Sequence, residues 1–154
     1  MVAKNNVWTL VPAAGIGRRY GANVPKQYDI VGRQSIISHT LDALLSYPVI
    51  QQVWVSIQST DDLWSEQAHS RDKRVTKVPG GETRLASVFN GLKALQAFAQ
   101  PNDWVLVHDA VRPCVSEGLL TRLLAAVEGH SVGGLLAVPV SDTVKTVDEN
   151  REVV

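Results

Sequence analysis

The residues best suited to chemistry lie early in the chain. Leu10-Val11-Pro12-Ala13-Ala14-Gly15-Ile16-Gly17-Arg18-Arg19 is followed by Val24-Pro25-Lys26, so a run of small residues leads into three cations. Gly15 and Gly17 permit backbone conformations closed to other residues and let the main chain approach a ligand. Successive free N–H groups in such a loop form a concavity that suits an anion. Residues 1–28 hold four basic side chains and no acidic one, while the remainder holds 11 basic and 15 acidic. A neutral chain with its positive charge gathered at one loop points to a local polyanion such as a nucleoside triphosphate. The plain alternative is a tight turn with solvated arginines. Loop composition, charge asymmetry and Lys26 behind the rigid Pro25 together favour the anion site. Two phosphate fingerprints are excluded. Tyr20 stands where a P-loop requires Gly-Lys-Ser/Thr to begin. Tyr20 also fills the third small position of the dinucleotide fingerprint, and no acid ends the next strand.

Three further stretches carry candidate groups. In Val107-His108-Asp109-Ala110-Val111-Arg112-Pro113, Asp109 ends a hydrophobic run. Mg²⁺ prefers hard oxygen ligands and takes one or two carboxylates plus substrate phosphates. Asp109 is the candidate metal ligand; alone, a capping aspartate explains it equally well, and the cationic loop tips the balance. Arg112 has the planar donor fork that suits a second phosphate, against the plain reading of a surface ion pair. Pro79-Gly80-Gly81-Glu82-Thr83-Arg84-x-x-Ser87 exposes backbone groups ahead of a helix, where they can read the edge of a pyrimidine. An ordinary loop before a helix cap is the alternative. In Pro139-Val140-Ser141-Asp142-Thr143-Val144-Lys145, Thr143 offers a hydroxyl to a phosphate or polyol, or is simply a β-branched strand residue. His39, His69 and His130 show no metal-ligand spacing and are expected on surfaces or helices. No nucleophile with a base partner emerges, and Cys114 is expected to be packed rather than reactive.

Pro12-Ala13-Ala14-Gly15-x-Gly17-x-Arg19 followed by Pro25-Lys26-Gln27-Tyr28 resembles the signature loop of 2-C-methyl-D-erythritol 4-phosphate cytidylyltransferases. The other three stretches match that family in order and spacing, with Glu82 where an aspartate is familiar. The resemblance implies transfer of CMP from CTP to a sugar-alcohol phosphate, with release of pyrophosphate. It implies Arg19 and Lys26 as catalytic cations. It implies CTP contacts from Pro12, Ala13, Ala14, Gly15, Gly17, Gly80, Gly81, Glu82, Arg84 and Ser87. Ala110, Arg112 and Thr143 would face the acceptor, and Asp109 would hold Mg²⁺. It further implies a homodimer made through an arm that begins after Val140. A ribitol 5-phosphate cytidylyltransferase of the same build and a non-catalytic nucleotide-binding piece are the alternatives. The family's chain continues past residue 154. The expectation is therefore one cytidylyltransferase domain over 1–154, incomplete on its C-terminal side, which is inactive alone and has 141–154 as the start of the arm.

The elements that must position these groups alternate. Apolar runs predict strands over 7–11, 52–57, 75–78, 104–108 and 134–140. Helical spacing predicts a helix from Ser35, as N-cap, to Tyr47-Pro48. Others are expected over 61–68, 83–99 and 116–128, the last two with Val88, Leu92, Leu95 and Ala99, and with Leu119, Leu120, Leu123 and Val127, facing inward. Alternation of this kind predicts an α/β, Rossmann-like, mainly parallel sheet with helices on both faces. Ligands bind such sheets outside the carboxyl ends of the strands, which is where the four stretches fall.

Composition sets outer bounds. The 154 residues are 45% hydrophobic and 19% charged, ordinary for a globular domain. The neutral balance argues against nucleic acid as a partner. No apolar run approaches the ~18 residues of a membrane span, so no membrane partner is expected. With a single cysteine no internal disulfide can form, which makes the cytoplasm the default expectation.

Overall fold

A computed structural model describes residues 6–15 and 24–154. The chain divides into two compact units, Met1–Glu117 and Gly118–Val154.

In the first unit, β1 (Val7–Pro12) is followed by a short hairpin of β2 (Ile30–Val31) and β3 (Gln34–Ser35), then α1 (Ile36–Leu45). Next come β4 (Val53–Ile57), β5 (Val75–Pro79), α2 (Arg84–Leu95) and β6 (Trp104–Val107). The main sheet has the order β5-β4-β1-β6, and every pairing is parallel. The chain thus steps outward from β1 through β4 to β5, then returns through α2 to the other side of β1. That reversal is the topological switch of a Rossmann-like sheet, where a crevice opens at the carboxyl ends.

β4, with the sequence Val-Trp-Val-Ser-Ile, is buried along its whole length, as a parallel strand covered on both faces must be. Leu10, Trp54, Val78 and Leu95 form one cluster, joined by Trp8, Val88, Ala94 and Val105. It lies beneath α2, where a Cβ on Gly91 would overlap the Leu10 side chain. The exposed Phe98 ring packs against it, its centroid 5.1 Å from that of Trp54. On the opposite face Val11, Val53, Val55 and Ile57 are fully buried, and α1, which also packs on β4, buries Ile37, Leu41 and Leu44. Each such side chain contributes about 1.5–3 kcal/mol on burial. Ser35 caps α1 as expected, its Oγ accepting from Ser38 N at 3.3 Å.

Several expectations are corrected in this unit. The segment after Asp61 forms two short 3₁₀ turns rather than one helix, Leu63–Glu66 and Ala68–Arg71. α2 stops at Leu95, and Leu92 lies outward, 40% exposed. Cys114 is exposed rather than packed. His69 is buried, with Nε2 2.9 Å from Asp42 Oδ1.

The second unit holds nearly all of α3 (Glu117–Val127), which buries Leu120 and Val127. Gly129, at φ 75°, ends it in the left-handed conformation favoured there. Residues 134–140 form no strand, against expectation: they pair with no described strand, and Leu135, Leu136, Val138 and Val140 are exposed. A strand exists only as a member of a ladder, whatever its apolar content. Near the end, Asp148 Oδ1 accepts from Asn150 N and Glu152 N, shaping a turn beside the Val147–Val153 bridge.

Candidate active site

Register brings the functional loops level. Leu10 pairs with Val107, and His108 N donates to Leu10 O at 2.9 Å. The same offset sets Asp109 opposite Pro12, where β1 ends. On the other side Pro12 pairs with Ser56 and Ile57 with Pro79. All four strands therefore release their chains at one edge.

The loop after β1 starts with Ala13 N donating to Ser56 O at 2.9 Å. Ala13 and Ala14 are buried and Gly15 is exposed. The Gln27 amide nitrogen donates to Ala13 O at 2.9 Å and to Gly15 O at 3.1 Å. Gln27 belongs to the 3₁₀ turn Lys26–Tyr28, which buries Gln27 and Tyr28 and exposes Lys26. Tyr28 Oη donates to Asp61 Oδ2 at 2.8 Å. Burial, then that carboxylate, pushes the phenol far above its ordinary range.

The loop after β5 packs directly on the first. Gly80 lies so close to Ala14 that an added Cβ would overlap the Ala14 methyl. Gly81 is equally tight against Ala86. Gly81 N donates to Ser87 Oγ at 3.1 Å, and Ser87 Oγ donates to Thr83 O at 3.0 Å. Ser87 is buried, so its hydroxyl shapes this turn. Ser56 Oγ donates to Ser87 O at 2.9 Å, and Asn90 Nδ2 to Gly80 O at 3.3 Å. Glu82 is exposed.

The third loop supplies the charge. Arg84 donates to Asp109 Oδ1 through Nη2 at 2.7 Å and Nε at 3.2 Å. Arg112 Nε sits 3.0 Å from Asp109 Oδ2. One carboxylate thus holds two guanidinium groups, both largely exposed. Burial pushes the Asp109 carboxyl upward, but Arg84 and Arg112 outweigh it and hold it below the usual carboxylate range. His108 is lowered by burial, so its imidazole stays neutral near pH 7. Ala110 is buried, and its carbonyl accepts from Thr40 Oγ1 of α1 at 2.9 Å.

These contacts join Pro12, Ala13, Ala14, Gly15, Gly80, Gly81, Arg84, Ser87, Asp109, Ala110 and Arg112 into one edge of the sheet. Small residues line it and Arg84 and Arg112 flank it, while, against expectation, the Gly80 and Gly81 N–H and C=O groups are hydrogen-bonded within the protein. Such an edge can hold a flat base and a chain of phosphates.

Comparison with known proteins decides the family. The IspD family, 2-C-methyl-D-erythritol 4-phosphate cytidylyltransferase, matches residues 7–154. The chain belongs to that cytidylyltransferase family. The cytidylyltransferase of Ectopseudomonas mendocina is 49% identical over 147 residues, covering 95% of this chain and 63% of the relative. That of Dechloromonas aromatica is 48% identical over 149 residues, covering 95% and 65%. The crystal structure of the Francisella tularensis enzyme superposes with a TM-score of 0.80 at 35% identity, covering 97% of this chain and 64% of that one. A structure titled 4-diphosphocytidyl-2C-methyl-D-erythritol synthase gives a TM-score of 0.83 at 30% identity, covering 98% and 68%. The chain thus spans slightly under two thirds of the curated relatives' length.

Not every expected site residue of this cytidylyltransferase-family chain falls on the described edge. Gly17 and Arg19 lie outside the described residues. Thr143 is exposed in the second unit. Gln27, Thr40, Ser56 and Asn90 were not assigned from sequence, yet they hold the loops. Thr40 and Ser56 left a signal, each being polar at a buried position of an apolar element. Gln27 sits inside the Pro25-Lys26-Gln27-Tyr28 stretch with no feature of its own.

Mg²⁺ fits this edge as a site with one protein carboxylate. Among the described residues no group of three or more His, Cys, Asp or Glu converges to cage a metal. Mg²⁺ needs no such cage where substrate phosphates complete its shell. The lowered Asp109 carboxyl is an ionised hard-oxygen group whose two oxygens are engaged by Arg84 and Arg112.

Proposed function

We propose that this chain carries the nucleotide half of a CTP:2-C-methyl-D-erythritol 4-phosphate cytidylyltransferase of isoprenoid biosynthesis. The supporting observation is the convergence of the three loops after β1, β5 and β6, with Arg84 and Arg112 on either side of Asp109. Family membership supports CTP and methylerythritol phosphate as the substrates of that edge. The acceptor's phosphate oxygen attacks the α-phosphorus of CTP, one P–O bond forms, the α–β bridge breaks, and pyrophosphate leaves. The nucleophile is already an anion, so no covalent enzyme intermediate is needed. The protein brings two polyanions together and offsets charge as it moves, which makes positioning and electrostatics the dominant contributions.

In this reading Arg19 and Lys26 hold the α-phosphate and the charge of the transition state. Pro12, Ala13, Ala14, Gly15 and Gly17 cradle the triphosphate. Gly80, Gly81 and Glu82 meet the base and ribose, Arg84 lies toward the nucleotide, and Ser87 keeps their turn in shape. Ala110, Arg112 and Thr143 receive the acceptor. Asp109 would hold Mg²⁺, which when bound draws charge from the phosphates. The working unit is a cytoplasmic homodimer joined by an arm beginning within 141–154, and residues 1–154 belong to one cytidylyltransferase domain. No described helix is long and apolar enough to cross a membrane.

Calorimetry with CTP, ATP and GTP in Mg²⁺ tests the base assignment, and pyrophosphate release with CTP and methylerythritol phosphate by an intact enzyme carrying this sequence tests the transfer. CTP should bind most tightly. Equal affinity for ATP sinks the pyrimidine reading.

A further inference from the structure

We propose that Gln27 is a positioning residue for the triphosphate. Its amide holds the Ala13 and Gly15 carbonyls on the protein side of the loop, so that N–H groups rather than oxygens are turned toward the anion. The inference rests on the reading of this edge as a nucleotide site.

The geometry is specific. One side-chain nitrogen reaches two carbonyls that lie two residues apart, at 2.9 and 3.1 Å. Both partners are acceptors only, so the NH₂ end of the amide must face them. Gln27 is buried, where an unpaired amide is costly and the pair of bonds is correspondingly firm. The peptide plane then sets what faces outward. A carbonyl and the next residue's N–H point in opposite directions across one trans peptide. With the Ala13 carbonyl drawn toward Gln27, the Ala14 N–H points away from it. An anion-binding concavity needs aligned N–H groups, and a carbonyl turned into it repels the ligand.

The same residue links the loop to a cation. Lys26 precedes Gln27 in a single turn that exposes the lysine and buries Gln27 and Tyr28. Gln27 ties that turn to the β1 loop and Tyr28 ties it to Asp61. The Gln27 amide therefore ties the turn that carries Lys26 to Ala13 and Gly15. Few side chains substitute for it. Asn is one methylene short, Leu has the shape without donors, and Glu replaces two donors with two acceptors.

The test uses the 154-residue protein and three probes: CTP, inorganic tripolyphosphate and cytidine. Gln27→Leu should weaken CTP and tripolyphosphate by about tenfold, the equivalent of losing roughly one charge-directed contact. Gln27→Glu should weaken them more. Cytidine, read by the Gly80–Ser87 side, should change by less than about twofold, a selectivity that general loosening of the fold would not produce. Equal losses for cytidine and tripolyphosphate, or no loss, overturn the proposal. A second measurement needs no variant: the Ala14 amide resonance of the parent should shift and saturate with tripolyphosphate, and an unmoved Ala14 amide overturns it equally. A parent that binds tripolyphosphate without preferring CTP to ATP sinks the CTP assignment and leaves Gln27 judged by tripolyphosphate. A parent that binds no triphosphate sinks both.

Discussion

Gly80→Ala is a single methyl placed where two functional loops touch. Gly80 has a backbone conformation open to any residue, so the reason for glycine is room and not φ. The added Cβ would overlap the Ala14 Cβ and lie 3.2 Å from Ile57 C and 3.3 Å from Ile57 O. Neither neighbour is the end of a flexible side chain. One is a methyl on a buried loop, the other the backbone of a fully buried strand residue. The loops must part, and overpacking of this kind costs about 1–3 kcal/mol. For a chain of this size each kcal/mol lowers Tm by roughly 2–4 °C, so the expected fall is about 2–12 °C. The assay is a double-mutant cycle with Ala14→Gly, followed by urea denaturation. Removing the Ala14 methyl relieves the first clash but not the one with Ile57, so rescue should be partial. The coupling should reach roughly 1–2 kcal/mol in the stabilising sense. Gly80→Ala should also weaken CTP, because the displaced loop is the one proposed to cradle phosphates. If the two substitutions add within about 0.5 kcal/mol, the loops do not meet at Gly80 and the described edge is wrong.

Asp109→Asn should leave the fold intact, since exposed ion pairs contribute only about 0.2–1 kcal/mol each, and should remove any Mg²⁺ dependence of activity; an unchanged Mg²⁺ response would show that Asp109 is structural. In an intact enzyme carrying this sequence, Lys26→Ala and Arg19→Ala should lower kcat by ~10²–10³ with a smaller change in CTP affinity, checked by steady-state kinetics; a rise in KM at constant kcat would mean ground-state binding only. Asp103 accepts from Asn6 N, Trp8 Nε1 and Gln100 N, and Asp103→Ala should cost about 1–2 kcal/mol by urea denaturation. The hydrogen bond from Gln100, followed by that from Trp8, holds the Asp103 carboxyl below its usual range. Its contribution is therefore complete above the unfolded value of about 4 and lost as pH falls through the lower folded value, so Asp103→Asn should flatten the acid limb of a stability–pH curve.

The sequence was most informative where a local rule decides the outcome. Four strands of the sheet were legible because short apolar runs between glycine- and proline-rich punctuation have few other fates. Ser35 was legible as a cap because capping involves residues three apart. Residues 134–140 show the limit of such rules. Their composition suits a strand, but pairing requires a neighbour, and no described strand takes that place. Leu92 fails for a related reason: helical spacing defines a stripe, while the area that the sheet covers determines which edge of the stripe is buried. Glycines were legible as loop signals but not by cause. Among the described residues nothing lies near a Cβ placed on Gly15, whereas Gly80 and Gly81 are held by the methyls of Ala14 and Ala86.

The charged groups show what a linear reading omits. Arg84, Asp109 and Arg112 each carried a separate assignment, to nucleotide, metal and acceptor. Folding joins them, because the helix after β5 starts beside the end of β6, and Arg84 reaches an aspartate 25 positions away. The Asp109 carboxylate orders both guanidinium groups and offsets part of their charge. A triphosphate or metal arriving there must compete with those pairs, and each is weak enough at this exposure to be exchanged for a phosphate contact. The aspartate therefore fits two successive tasks. It keeps the arginines ordered at the edge of the sheet, and under the proposed function it would become a hard-oxygen ligand where phosphates took its place on the arginines.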